Sequence, residues 1–434
     1  MSEITPILAA FAATTKAADI PAGATQMLRL SLLDWAACGI AGAEEPVARI
    51  TRQMALDEGG AAQANLFGSP LHLPARAAAL VNGATSHALD YDDTHFAHIG
   101  HPSVAVIPAA LAVAQRQGST GAEFQTAALI GIEASIRTGM WLGRDHYQIG
   151  FHQTATAGAF GAALAAARLM GLDAAGCAMT MGLVATRASG LKSQFGTMGK
   201  PFNAGLAASN GVEAATLVAS GFVANPLALE AAQGFGDTHS AEELNSALQG
   251  IGKEWVFESV SHKFHACCHG LHAALEAAGS LGNIPADRID SIQITTHPRW
   301  MSVCNQPSPT TGLGAKFSYG TVMAMHFLGH DTARLDSYSD ALCADPALKA
   351  LRQRVQVNDD PRIAETATIL SVKMIDSNML QAKHDLDEPM PIATRQAKIM
   401  AKATSLLGDE KSAHIWAMVQ NAADPAELGK ALHR

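Results

Sequence analysis

The chain has 434 residues, 48% of them hydrophobic and only 16% charged, with a formal net charge of −9. That apolar content excludes a disordered chain, which lacks the burial needed to offset conformational entropy. The acidic balance and the absence of any Lys/Arg stripe exclude nucleic acid and anionic membrane as partners, so the positive groups for an anionic ligand must be local.

The length exceeds one ordinary core and predicts two domains. Six scattered cysteines, only two of them adjacent, suggest a reducing cytoplasm rather than a disulfide framework. The first residues show no basic region followed by an apolar stretch, so no secretory leader is expected. No window of about 18 uninterrupted apolar residues predicts a membrane span.

Up to about residue 255 the chain reads as helix after helix. Ala22–Ala43 carries Met27, Leu30, Leu33 and Ala37 at helical period. Helices are predicted over Arg76–Asp90, Pro102–Gln117, Gly121–Leu142, Thr154–Met170, Ala174–Ser189 and Asn203–Ser220, separated by Gly, Asp or Pro breaks. Alanines and glycines recur along them, as packing devices between close helix axes.

The densest polar cluster lies between the second and third of these helices. From Ser86 to Ser103 it contains Asp90, Asp92, Asp93, His87, His95, His98 and His101. His101 precedes Pro102, and proline is favoured at the first helical position, so His101 and Ser103 should stand at a helix N-terminus that welcomes a carboxylate. The residues alone leave three readings open: a metal site at His95, His98 and His101, a solvated acidic helix end, or an acid–base site on a loop between rigid helices.

Two further segments stand out in this half. Gly150-Phe-His-Gln-Thr-Ala opens an alanine-rich helix, so His152 is either a plain cap or an acid/base. Gly190-Leu-Lys-Ser-Gln-Phe-Gly-Thr-Met-Gly-Lys-Pro follows, in which Pro201 should hold Lys200 extended ahead of a helix starting near Asn203. Lys200 is a surface lysine or a carboxylate-binding point charge, and Lys192 is a weaker second candidate.

After about residue 255 the texture becomes α+β. Ile289-Asp-Ser-Ile-Gln-Ile-Thr-Thr alternates as a half-buried strand, and Ala367–Lys373 and Met379–His384 form a predicted hairpin around Asp376-Ser-Asn. Helices are expected at Thr321–Leu328 and Asp345–Gln353, and again over Thr394–Leu432. The string His262-Lys-Phe-His-Ala-Cys-Cys-His-Gly-Leu-His is metal-like. Its adjacent cysteines suit neither one tetrahedral ion nor an iron–sulfur cluster.

Ala88-Leu-Asp-Tyr-Asp-Asp-Thr with the following His-Pro-Ser, Gly150-Phe-His-Gln-Thr, Gly196-Thr-Met-Gly-Lys-Pro and the Lys263 segment together resemble the MmgE/PrpD family. That family includes 2-methylcitrate dehydratase, cis-aconitate decarboxylase and iminodisuccinate epimerase. The resemblance spans almost the whole chain. It implies a mostly α fold: an all-helical domain over 1–255, with 394–434 returning to it, and a smaller α+β lid over 256–393.

It also implies a cytoplasmic homodimer that needs no cofactor and no metal and acts on a small anionic di- or tricarboxylate. Asp90, His101, His152 and Lys200 are the implied catalytic residues, and Thr94, Ser103, Lys263, His272 and Tyr319 the implied substrate-binding ones. The chain departs from the pattern in two places. The Thr94–His101 loop is one residue longer than in the decarboxylases, and Thr321 stands where their tyrosine would, with Tyr319 two residues earlier.

Proton movement next to a carboxylate needs a base within reach and groups that hold the charge as it grows. His152 and His101 are the expected acid–base pair, with the sequence leaving open which is acid and which is base. Lys200 and Lys263, with the helix end at His101, are the carboxylate holders, and Asp90 is an imidazole's orienting partner. A 2-methylcitrate dehydratase-like hydro-lyase is the leading expectation. An iminodisuccinate epimerase-like isomerase, a cis-aconitate decarboxylase-like carboxy-lyase and a non-catalytic carboxylate-binding protein are the alternatives.

Overall fold

The computed structural model describes residues 4–433, which divide into two units. The first runs to His262 and takes up again from Ile399; the second is Lys263–Lys398. The fold is mostly helical, with one four-stranded sheet in the second unit and a two-stranded hairpin in the first. Among the described residues no helix is long and apolar enough to cross a membrane.

In the first unit, α1 (Ile4–Thr14), α2 (Ala22–Ala41) and α3 (Pro46–Glu58) precede a short antiparallel hairpin of β1 (Ala64–Leu66) and β2 (Ser69–Leu73). Then come α4 (Ala75–Ser86), α5 (Ser103–Gln117), α6 (Gly121–Ile149), α7 (Gln153–Leu169), α8 (Ala174–Ala185) and α9 (Gly199–Ala219). Helix α7 is buried from Gln153 through Ala167, as expected of a helix apolar all round and enclosed by others. Its neighbours approach closely because the contact positions lack side chains. A Cβ on Gly83 of α4 would stand 2.8 Å from the Gly205 Cα of α9, and one on Gly131 of α6 would stand 2.6 Å from the Gly161 carbonyl of α7.

Helix α6 starts on a capping box, in which Thr120 and Glu123 satisfy each other's backbone N–H. Its expected end at Leu142 is where Gly143 takes φ 75°, and the helix resumes after that break to Ile149. Helix α9 begins earlier than expected. Lys200 lies inside its first turn rather than in an extended lead, because proline at the third helical residue needs no intrahelical N–H partner.

The C-terminal helices Ile392–Leu407, Asp409–Gln420 and Pro425–Ala431 include the part of the chain that rejoins the first unit. Gln125 donates to the Val419 carbonyl (2.7 Å) and Gln115 to the Pro425 carbonyl (2.8 Å). Deeper in, the Lys402 ammonium is buried, 2.5 Å from Asp34 Oδ1 on α2 and 2.5 Å from the Tyr91 carbonyl.

The second unit carries β3 (Ile289–Thr296), β4 (Val355–Asp359), β5 (Ala367–Met374) and β6 (Met379–Asp385) in the order β4-β3-β5-β6. Strands β3 and β4 run parallel; β3–β5 and β5–β6 are antiparallel. The alternation in Ile289–Thr296 places Ile289, Ile292, Ile294 and Thr296 inward. Helix His272–Ser280 packs on β5 and β6, and Tyr319–Phe327 packs on Pro346–Arg352 and β4.

Candidate active site

Three helix N-termini in the first unit meet at one cluster of side chains. His152 is the N-cap of α7, Lys200 is the second residue of α9, and His101 lies two residues before α5. Each N-terminus presents backbone N–H groups and the positive end of a helix dipole, so the cluster favours anions.

Side-chain contacts join the three. The Lys200 ammonium is 2.7 Å from Asp90 Oδ2, and Asp90 Oδ1 is 3.4 Å from His101 Nε2. His101 Nδ1 is 2.8 Å from Asp92 Oδ2, while the other Asp92 oxygen takes His87 Nδ1 at 2.9 Å. The His87 ring lies edge-on to His101 (4.5 Å) and 6.2 Å from His152. His152 Nδ1 is 3.2 Å from the Asn203 amide nitrogen, and its ring meets Phe195 edge-on at 5.0 Å. The backbone N–H of His101 donates to Thr154 Oγ1 (3.0 Å), tying the loop to α7.

The loop reaches this geometry because Asp90 adopts φ 51°, a conformation Asp tolerates better than most residues. The turn leaves the Asp90 side chain 41% exposed and buries Asp92 and Asp93. Burial would raise the Asp92 carboxyl, but the imidazoles of His87 and His101 outweigh it and hold that group well below the usual carboxylate range. Burial pushes His101 down to about 4 despite Asp92, so its imidazole is neutral at neutral pH. His152 is also lowered well below the usual imidazole range, first by burial and then by the Lys200 ammonium. Both site histidines are neutral.

The other residues expected at the site fall in different places. Thr94 follows on the same loop, half-buried, its N–H bonded to the Ser261 carbonyl at 2.8 Å. Ser103 gives its hydroxyl to Asp93 Oδ2 (2.5 Å), which braces the loop. Lys263, His272 and Tyr319 belong to the second unit and are buried. His272 packs edge-on to His265 (5.1 Å) and His269 (4.8 Å).

Tyr319, expected to bind substrate, has its phenol among partners of its own unit. Its hydroxyl donates to the Gly270 carbonyl (2.7 Å) and lies 3.1 Å from Thr296 Oγ1, so the phenol is committed inside the second unit. Lys192 is tied to the Tyr147 carbonyl (2.9 Å) and stacks over that ring. The six cysteines are free thiols, and burial pushes Cys267 up to about 12.

The histidines of the metal reading part company. His95 Nε2 contacts the Val256 carbonyl (3.0 Å), His98 Nε2 contacts Ser135 Oγ (3.2 Å), and His101 goes to Asp92. A different donor group gathers instead: His87, Asp90, Asp92 and His101 offer ligand atoms within 4.8 Å of one another. In this arrangement Asp90 is paired with an ammonium and both Asp92 oxygens with imidazole nitrogens, while His87 Nε2 is buried without a hydrogen-bond partner.

His87, Asp92, Asn203 and Phe195 were not singled out from the sequence. His87 and Asp92 lay within the polar cluster, but nothing in their spacing separates them from their neighbours.

Residues 7–247 match the model of the MmgE/PrpD N-terminal domain and residues 265–424 that of the MmgE/PrpD C-terminal domain. The chain is 30% identical over 293 residues to the cis-aconitate decarboxylase-like protein oryM of Aspergillus oryzae, covering 63% of this chain and 60% of that relative. It is 27% identical to cis-aconitate decarboxylase of Aspergillus terreus, covering 84% of each chain. To the human cis-aconitate decarboxylase it is 25% identical, covering 92% of this chain and 87% of that one. Two domain models matched in the right order, over nearly the full length, place the chain in a known group: it belongs to the MmgE/PrpD family.

Proposed function

We propose that this chain is a lyase that moves a proton beside a carboxylate of a small di- or tricarboxylate, without metal or cofactor. The observation that carries this reading is an imidazole, His101, fixed by Asp92 on one nitrogen and facing on the other Asp90, which itself pairs with Lys200. Lys200 and the three helix N-termini hold the substrate carboxylates and offset charge as the C–H bond breaks.

Dehydration is the leading reaction. Two neutral imidazoles suit proton abstraction better than proton donation. The α-proton passes to His101, the C=C bond forms as the C–O bond breaks, and the proton rejoins the departing hydroxyl as water. Decarboxylation is the second reading, supported by the names of the relatives. The longer Thr94–His101 loop and Thr321 in the place of the decarboxylases' tyrosine weigh against it, and epimerisation follows if the proton returns to the opposite face. In the same reading the protein is a cytoplasmic homodimer; its free thiols and alanine-rich first unit support this.

The test is solvent exchange. The purified protein is incubated with 2-methylcitrate, cis-aconitate or iminodisuccinate in D₂O, with and without a chelator, and each C–H is followed by NMR. Deuterium incorporation or product with one of them, unchanged by the chelator, supports the reading. Binding without exchange or product from any of them makes the protein a carboxylate binder, and loss of activity on chelation makes it a metalloenzyme.

A further inference from the structure

The two site histidines are held through the same ring nitrogen, Nδ1, but by partners of opposite character. Asp92 is an ionised carboxylate and can only accept, so His101 must place its proton on Nδ1 and leave a lone pair on Nε2. The Asn203 amide nitrogen can only donate, so His152 Nδ1 must accept and Nε2 carries the proton.

We infer that Asp92 and Asn203 sort the two site imidazoles into opposite tautomers, making His101 the base and His152 a neutral hydrogen-bond donor, with His87 as the positioning residue that pins Asp92. This rests on the acid–base reading above and assigns the roles within it.

The geometry gives each group a task. His101 Nε2 takes the substrate proton, and the electron pair of the C–H bond passes into the neighbouring carboxylate. Asp90, 3.4 Å from that nitrogen, then becomes the counter-ion of the new imidazolium. His152 gives up no proton: its Nε2–H bonds the oxygen that gains charge. A neutral imidazole is the better choice there, since an imidazolium beside Lys200 would repel it.

His87 completes the set. Its Nδ1 occupies the second Asp92 oxygen at 2.9 Å, and its Nε2 is buried without a hydrogen-bond partner. A buried imidazole that makes a single bond, to the carboxylate steering the base, fixes that carboxylate's rotation. Without it one Asp92 oxygen is unpaired and the grip on His101 loosens.

The experiment reads tautomers directly. ¹⁵N-histidine NMR of the full chain without substrate, assigned with His101→Gln and His152→Gln, should show His101 protonated on Nδ1 and His152 on Nε2. Asn203→Asp replaces a donor with an acceptor and should move the His152 proton to Nδ1. With whichever substrate turns over, it should lower kcat about 10²-fold or more at little change in KM, the order lost when one donor to a developing oxyanion is removed. His87→Leu should lower kcat similarly, and His87→Asn, whose amide can still reach Asp92, should restore most of it.

Finding both histidines in the same tautomer overturns the inference whether or not a substrate is known, and so does a reversed pair. An Asn203→Asp chain that keeps the wild-type His152 tautomer also overturns it. Should the His87 variants fail to fold, the wild-type spectrum and the Asn203→Asp shift still decide. A protein with the expected tautomers that turns nothing over refutes the lyase reading and leaves the tautomer assignment standing.

Discussion

The Lys200 ammonium stands 2.7 Å from Asp90 Oδ2, joining the start of α9 to the loop that leaves α4. Asp90 is the one carboxylate of that loop with a substantially exposed side chain. The pair therefore gives an incoming polyanion a cation that it can share or take over.

Lys200→Met should lower kcat/KM by about 10²–10³-fold, the usual loss when a group that stabilises developing charge is removed. Lys200→Arg should recover little, because a planar fork does not replace a compact point charge. Steady-state kinetics on the substrate found by exchange checks both. A Lys200→Met enzyme within threefold of wild type removes Lys200 from the mechanism.

Acid should act on the buried histidines in one direction. Burial lowers His95 to about 4, His98 to about 3 and His101 to about 4. The unfolded chain protonates these groups near 6.5 while the folded chain does not, so stability falls as pH drops from about 6.5 towards 4. The slope is at most about 1.4 kcal/mol per pH unit for each group. His98→Gln should flatten the decline in Tm over that range. The activity profile should show no ionisation of the base near 6.5; a clear limb there in a protein that is still folded contradicts the His101 assignment.

Asp93 should act in the opposite sense. Burial, helped by neighbouring Asp34, raises its carboxyl to about 7. The folded chain keeps this proton between about 4 and 7 while the unfolded chain releases it. Asp93 therefore costs stability as pH rises through that window, by up to about 1.4 kcal/mol per pH unit. Asp93→Asn should remove this component, and denaturant unfolding at pH 5 and pH 7 measures it. Equal Asp93→Asn effects at the two pH values show that the group ionises normally.

Removing Lys402 should be severe. Burial works against its charge, but Asp34 outweighs that and raises its pKa. Lys402→Met leaves the Asp34 carboxylate buried without its cation, at a cost of about 3–5 kcal/mol. The double variant Asp34→Asn/Lys402→Met should recover part of the loss, which chemical denaturation can resolve. A single variant as stable as wild type sinks this account of the pair.

The sequence was most informative where periodicity was strong. β3, β5 and β6 follow an alternation or a turn that is plain in the residues, and the break at Gly143 marked the end of a regular helix. α1, α3 and the β1–β2 hairpin escaped notice, since two strands of 3 and 5 residues carry too short a pattern. β4 escaped because Val355-Gln-Val-Asn-Asp ends on polar residues and lies at the sheet edge. In the site, Asp90, His101, His152 and Lys200 were legible through motifs and do meet in one cluster. Asp92 and His87 were not, because the backbone turn at Asp90 decides which aspartate goes inward, and three neighbouring aspartates look alike in a string.

Lys402 reaches Asp34 and the carbonyl of Tyr91 from a helix near the end of the chain. During synthesis, the ribosome makes the loop that carries Asp90 and His101 long before the cation that holds its Tyr91 carbonyl. Until that helix is made, Asp34 lacks its Lys402 counter-charge, and the whole second unit, residues 263–398, is made in between. The contacts of Lys402 to Asp34 and to the Tyr91 carbonyl can therefore form only late in translation, and a truncation before Lys402 should leave both partners without it.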